Sequence, residues 1–287
     1  MGGNLIITIF NVIQVAGFVG AFVIMLTALF SRSLHRLSTW YLVLSSMAVY
    51  SFSMLLLAMA HGQTGPEPHF ALCLVQSALA YACPIWLLSA AFAFALQFHL
   101  MMLYYAKQYS GLIHRDSKWI PLSTVILFVV LMATFLAIGS VKPEIVQRSP
   151  QQFYCHFSNQ IGSYTVIGFD VVFGIAAVIC EFKTGVLLYR HWKQRNELYR
   201  QSNGQVAIGV MIRLVGFSLL SLLSVATSVV YVLPITMRGK QYFVIYNAFL
   251  SNIAGPIAMG LNMSIVRSWI FWKKDISVEV RVEQDQC

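Results

Sequence analysis

Seven long apolar runs divide the chain, at about 5–30, 37–60, 70–106, 119–141, 164–189, 206–233 and 242–266. Each holds at least the roughly 20 residues a helix needs to cross the hydrocarbon core of a bilayer. The polar gaps between them are short, which predicts antiparallel neighbours. The third run begins FALCLVQSALAYACPIW at Phe70 and meets no Asp, Glu, Lys or Arg until Lys107. As a helix it is roughly 55 Å long, too long for a perpendicular crossing and too continuous for two. It predicts one tilted central span. The expected fold is all-α: a seven-helix membrane bundle over 1–272 with a short tail, 273–287.

Composition agrees with the pattern. The 287 residues are 58% hydrophobic and 10% charged, against about 25% charged in soluble domains. The net charge of +9 does not point to nucleic acid, because the basic residues sit in the gaps between apolar runs and not on one solvated face. They act as topology signals instead. Of the 19 Lys and Arg, thirteen fall in alternate gaps and the tail: Arg32, Arg36, Lys107, Arg115, Lys118, Arg190, Lys193, Arg195, Arg200, Arg267, Lys273, Lys274 and Arg281. The other gaps hold Lys142, Arg148, Arg238 and Lys240. Basic loops stay cytoplasmic, so the N-terminus is expected outside, the C-terminus inside, and 142–163 as the longest outer loop. Met1-Gly-Gly-Asn has no basic region before the first run, so no cleavable signal peptide is expected.

Cys73 opens the third run on the expected outer side, and Cys155 sits within the long outer loop. Both would face an oxidising compartment, and a disulfide between them would tie the loop over the bundle. Cys83 and Cys180 fall inside spans and read as apolar fillers. Cys287 is a terminal thiol.

Seven spans, an outside N-terminus, a long third helix and a Cys at its outer end facing a Cys in the second outer loop resemble a G-protein-coupled receptor. The resemblance is architectural and covers nearly the whole chain. In texture the chain is most similar to divergent fungal seven-span receptors. It lacks the motifs of the rhodopsin-like class. The inner end of the third run is Leu103-Tyr104-Tyr105-Ala106-Lys107, with no acidic-Arg-Tyr triplet, and the seventh carries Gly255-Pro256-Ile257-Ala258-Met259 in place of Asn-Pro-x-x-Tyr. The resemblance implies an extracellular ligand bound between spans and a heterotrimeric G protein on the cytoplasmic side. It implies a multi-pass protein of the plasma membrane. No cofactor is implied, and a homo-oligomer stays open.

Ionisable groups inside spans cost about 2.5–3.5 kcal/mol on insertion scales and are functional candidates by default. Asp170 lies in the outer third of the fifth run, where a ligand cavity would be. It would hold a cationic or hydrogen-bonding group, or equally serve as an acceptor for a neighbouring Tyr or Ser. Tyr81 and Trp86, flanking Pro84, and Tyr246 and Asn247 are the other expected ligand-site residues. Deeper in, Glu181 and Arg213 lie at similar depth on the fifth and sixth runs and would pair as a latch between them. The alternative is that Arg213 and Lys183 reach to phospholipid. Pro256 is the hinge candidate. Tyr104, Lys107 and Arg195 would face the C-terminal helix of a G-protein α-subunit, and 190–205 would extend the fifth helix.

No His, Cys, Asp or Glu grouping has metal-ligand spacing. No phosphate-cradling or nucleophile motif appears, so no enzyme is expected. A retinal protein would need a Lys in 242–266, which has none. A seven-span solute transporter is the competing expectation, although Pro84, Pro121, Pro234 and Pro256 do not fall in matching spans of two halves.

Overall fold

The computed structural model describes residues 2–30, 37–105, 117–196 and 244–260, with isolated positions at 216, 219, 222, 223 and 226. Five long helices fill most of it: α1 (Gly2–Phe30), α2 (Ser38–Met59), α3 (Phe70–Tyr105), α4 (Trp119–Val141) and α5 (Ile161–Asn196). All five are long and apolar enough to cross a membrane, so the chain is a multi-pass integral membrane protein. In hydrocarbon every backbone N–H and C=O must be satisfied inside the protein, which a helix does within itself. The sixth expected span and the tail lie outside the described residues. Of the seventh, 244–260 is described, with an apolar helix from Val244 to Ile257.

α3 is the centre. In its most apolar window 61% of residues are buried, against 22% in α4 and α5. It packs against α2, α4 and α5. α4 and α5 bury one stripe each and leave the rest to lipid. Hydroxyls on those outward faces are satisfied by their own helices: Thr134, Ser140 and Thr165 each donate to the carbonyl four residues back, at 2.8 Å.

The segment between α4 and α5 is not a plain loop. A 3-10 turn (Pro143–Ile145) leads into an antiparallel hairpin of β1 (Val146–Arg148) and β2 (Cys155–Phe157). The expected disulfide is present: Cys73 of α3 is bonded to Cys155 of β2, with Cα atoms 5.1 Å apart. Further ties hold this hairpin. The Cys155 backbone N–H donates to Gln76 Oε1 at 3.0 Å, one helical turn below Cys73. Gln76 Nε2 in turn donates to the Ser53 carbonyl of α2 at 3.0 Å. The Arg148 guanidinium donates to the carbonyls of Gly62, Gly65 and Pro66 in the α2–α3 connection, at 3.0–3.2 Å. At the hairpin tip, Phe153 stacks on Phe10 of α1 with ring centroids 4.6 Å apart.

The 244–260 segment closes against α1 and α2 through buried amides. Asn252 Nδ2 donates to Gln14 Oε1 at 2.8 Å, and Ser51 Oγ donates to Asn252 Oδ1 at 2.7 Å. Around Asn252 the helix widens to a π-turn (Leu250–Ala254), with the Gly255 N–H reaching back to the Leu250 carbonyl. The cause is at hand: Pro256 has no N–H for the Asn252 carbonyl four residues earlier. That carbonyl lies against Gly17 of α1, where an added Cβ would come within 2.7 Å of it.

Two outcomes follow. Replacing Cys73 and Cys155 together by Ser should lower unfolding stability by about 2–5 kcal/mol; an unchanged melting temperature in detergent would mean that Gln76 and Arg148 suffice. Gly17→Val should force α1 away from Asn252 and lower the yield of folded protein on size-exclusion chromatography, whereas Gly20→Val, in open space, should not.

Candidate functional site

Four helices each turn one stripe toward a common space beneath the hairpin. α2 contributes Met47, Tyr50 and Met54, and α3 contributes Ala80, Tyr81, Pro84, Leu87, Leu88 and Ala91. α5 adds Ser163, Val166, Ile167 and Asp170, and the 244–260 segment adds Val244, Asn247, Ala248, Leu250, Ser251 and Gly255. The spacings repeat three, four and seven residues apart, which is one face of a helix. Phe10 of α1 and the hairpin residues Ser149, Pro150, Gln151, Tyr154 and His156 complete the lining. The cavity measures about 380 Å³, within the range of small-molecule sites.

His156 lies on the side of the hairpin. Asp170 stands deeper on α5, above Phe173, which meets Phe92 of α3, and Tyr50 lies within electrostatic reach of Asp170. The α3 lining past Pro84 is apolar: Leu87, Leu88 and Ala91. Asp170 is the sole Asp, Glu, Lys or Arg among the described lining residues, and it is 3% exposed. Burial pushes the His156 imidazole below its usual value of 6.5, and attraction to the Gln147 carbonyl opposes this in part. Its Nδ1 is buried and meets no hydrogen-bond partner among the described residues.

Of the expected ligand-site residues, Tyr81, Asp170 and Asn247 line this cavity. Tyr81 is held in place by rings: Phe157 of β2 stacks on it at 5.3 Å and Phe135 of α4 meets it at 5.6 Å. Gly162 leaves it room, since an added Cβ would come within 2.8 Å of the ring. Trp86 lies elsewhere. Five residues on from Tyr81, it turns to α4 and stacks on Phe128 at 4.5 Å. Tyr246 is 43% exposed and also lies off the cavity, one position round the helix from Asn247. Tyr50, His156 and Phe10 were not among the expected residues. The stripe of Tyr50 three residues from Met47 was a signal, and so was the place of His156 beside Cys155.

Glu181 lies three helical turns along α5 from Asp170 and on the same face; it is 4% exposed. Lys183 points outward. At this depth α5 is fixed to α3 by His99. Thr184 Oγ1 gives its proton to the Cys180 carbonyl at 2.7 Å. It therefore accepts from His99 Nδ1–H, 2.8 Å away. The other half of the expected latch, Arg213, lies outside the described residues, as do Lys107 and the side chain of Arg195. Tyr104, next to the last residue of α3, is 52% exposed, and α5 continues as helix to Asn196. Pro256 is buried beside the π-turn. Among the described residues there is no group of three or more His, Cys, Asp or Glu able to hold a metal ion.

No protein-family model matches this chain, and no curated protein matches it at a significant level.

The state of His156 has a sign in pH. The folded protein holds the imidazole neutral where the unfolded chain, titrating near 6.5, takes up a proton. Stability from this group is full above about 6.5 and is lost as the pH falls through 6.5 toward the lower folded value. A melting curve series from neutral to mildly acid pH should therefore be flatter for His156→Gln than for the parent; parallel series would contradict the burial of the imidazole.

Proposed function

We propose that this chain is a seven-span receptor of the plasma membrane, with its N-terminus outside and its C-terminus inside. It binds an extracellular ligand within the bundle and signals to a heterotrimeric G protein. The observation that carries the reading is the cavity beneath the disulfide-tied hairpin. A ligand there touches α2, α3, α5 and the 244–260 segment at once, so it biases their relative positions. A transporter needs no such covalent cap over its site, and the gaps richest in Lys and Arg lie at the opposite end of the bundle.

The same reading gives roles to groups far from the cavity. Glu181 shares the face of α5 that carries Asp170, so a shift of α5 at the ligand moves both carboxylates. In the resting state Glu181 pairs with Arg213 and holds α5 to the sixth span. The π-turn at Leu250–Ala254 and Pro256 provide the bend through which the last span moves. Tyr104, Lys107 and Arg195 stand at the end read by the G protein.

Ligand-independent coupling to a panel of G proteins in cells tests the reading. The parent should raise the signal of at least one G-protein class over untransfected cells. Glu181→Gln and Arg213→Ala should each raise it further, by about threefold or more, as expected for loss of a roughly 1 kcal/mol restraint. An N-terminal epitope should be accessible on intact cells. No coupling to any class, together with solute uptake by vesicles carrying the protein, would replace the receptor with a seven-span transporter.

A further inference from the structure

The 244–260 segment carries one residue more than a regular helix would fit. From Leu250 to Ala254 the backbone is a π-turn, and the Gly255 N–H reaches back to the Leu250 carbonyl. An α-helix closes this bond one residue sooner, and each of its residues advances by 1.5 Å and about 100°. Residues before the turn are therefore one position out of step with those after it. The part after the turn is fixed. Gly255 lies against Met47, where an added Cβ would come within 2.6 Å of Met47 Cε, and Gly255–Gly260 packs on α1. The part before the turn lines the cavity with Val244, Asn247 and Ala248.

In a regular turn each of these residues would yield its place to the next in the chain. Ala248 would stand where Asn247 is, and Phe249 where Ala248 is. Asn247 would move to the outward place of Tyr246, which is 43% exposed. The exchange at Ala248 decides the outcome. Ala248 is buried on the cavity wall, in one cluster with Phe10 and Met54. Phe249 is 46% exposed on the outer face. One step of the helix thus replaces a methyl group on the wall by a ring.

Opposing effects set the register. Pro256 favours the wide turn, because in a regular helix it gives the Asn252 carbonyl no donor and presses its ring on that oxygen. The Asn252 side chain, bonded to Gln14 and Ser51, holds the same form. Against them stands the cavity of about 380 Å³, because a side chain that fills such a space gains dispersion contacts. Isolated π-turns are frequent at functional sites, and here Leu250 and Ser251 of the turn themselves line the cavity.

We infer that Leu250–Ala254 is a one-residue register switch that opens and closes the cavity. The wide turn presents Asn247 and Ala248 and leaves the space open; the regular turn brings Phe249 into it. A ligand touching Asn247, Ala248 and Ser251 binds only the wide form and so selects it. This role rests on the reading of the cavity as a ligand site. The two registers belong to the helix itself, so they are tested without ligand or G protein.

The test is disulfide cross-linking of the full chain in nanodiscs, with Cys83, Cys180 and Cys287 replaced by Ala. Met54 of α2 is the fixed reporter. Ser51 meets Asn252 and Met47 meets Gly255, and this antiparallel register sets Met54 opposite Ala248. Met54→Cys with Ala248→Cys reads the wide turn, and Met54→Cys with Phe249→Cys reads the regular one. In the parent the Ala248 pair should cross-link at least about tenfold faster, since one residue turns a side chain by about 100°. Pro256→Ala gives the Asn252 carbonyl a donor, so it should speed the Phe249 pair by at least about fivefold and slow the Ala248 pair. Ser51→Ala removes one bond to the Asn252 amide and should shift the ratio the same way by less; it serves where Pro256→Ala does not fold. Size-exclusion chromatography reports the folding of each variant. The same ratio in the parent and in every folded variant would overturn the switch and leave the cavity as a ligand site. The expected shift in ratio, from a chain that couples to no G protein, would uphold the switch and overturn the receptor.

Discussion

Cys155 is held to α3 twice, by the disulfide to Cys73 and by the backbone hydrogen bond to Gln76 one turn below. Much of the described structure at this end of the bundle follows from that attachment. It sets the register of the hairpin, because β2 begins at Cys155 and pairs Arg148 with it. Arg148 is thereby placed to reach three carbonyls of the α2–α3 connection. It also sets the position of Phe157, which stacks on Tyr81, and of His156, which turns into the cavity. A strand this short is marginal alone. Here the covalent tie and the side-chain amide stand in for the missing ladder.

Inside the bundle, hydrophobicity cannot choose between neighbours, since lipid is as apolar as a leucine face. The described structure uses polar matching instead. Gln14, Ser51 and Asn252 link three elements through two hydrogen bonds, and Thr39 with Gln97 links α2 to α3 at 2.7 Å. His99 and Thr184 do the same for α3 and α5. Each pair is worth about 0.6 kcal/mol on average in a membrane interior, so their value lies in fixing which helix faces which. Gly17 shows the steric side of this choice, because α1 can approach Asn252 only where it has no side chain.

α5 combines two tasks on one face. Its buried stripe runs through Asp170, Ala177, Glu181, Thr184 and Leu187. The first carboxylate lies in the cavity; the second lies three turns away, beside the contact with α3. A rigid helix moves both together, so the spacing of the two acids is a mechanical link as well as a packing pattern.

The first five spans were legible because the bilayer imposes a length and an apolar composition that residue order alone displays. The observed Ser38–Met59 and Trp119–Val141 fall within a residue of the expected 37–60 and 119–141. The disulfide was legible because only Cys73 and Cys155 lay near one end of the bundle. The faces were not legible. Tyr81 and Trp86 read alike as aromatic neighbours of a proline, yet one lines the cavity and the other packs on α4. Tyr246 and Asn247 are adjacent, and a rotation of one position separates them. In a helix apolar on all sides the sequence carries little amphipathic signal to say which side faces inward. The hairpin was hidden for a related reason: three-residue strands have no periodicity to read. The sequence by itself determined the number of residues available to each helix, the disulfide partners and the buried charges. Only the tertiary structure decided which side chains share a cavity, because that depends on the rotation of each helix, and the rotation is set by contacts between residues far apart in the chain.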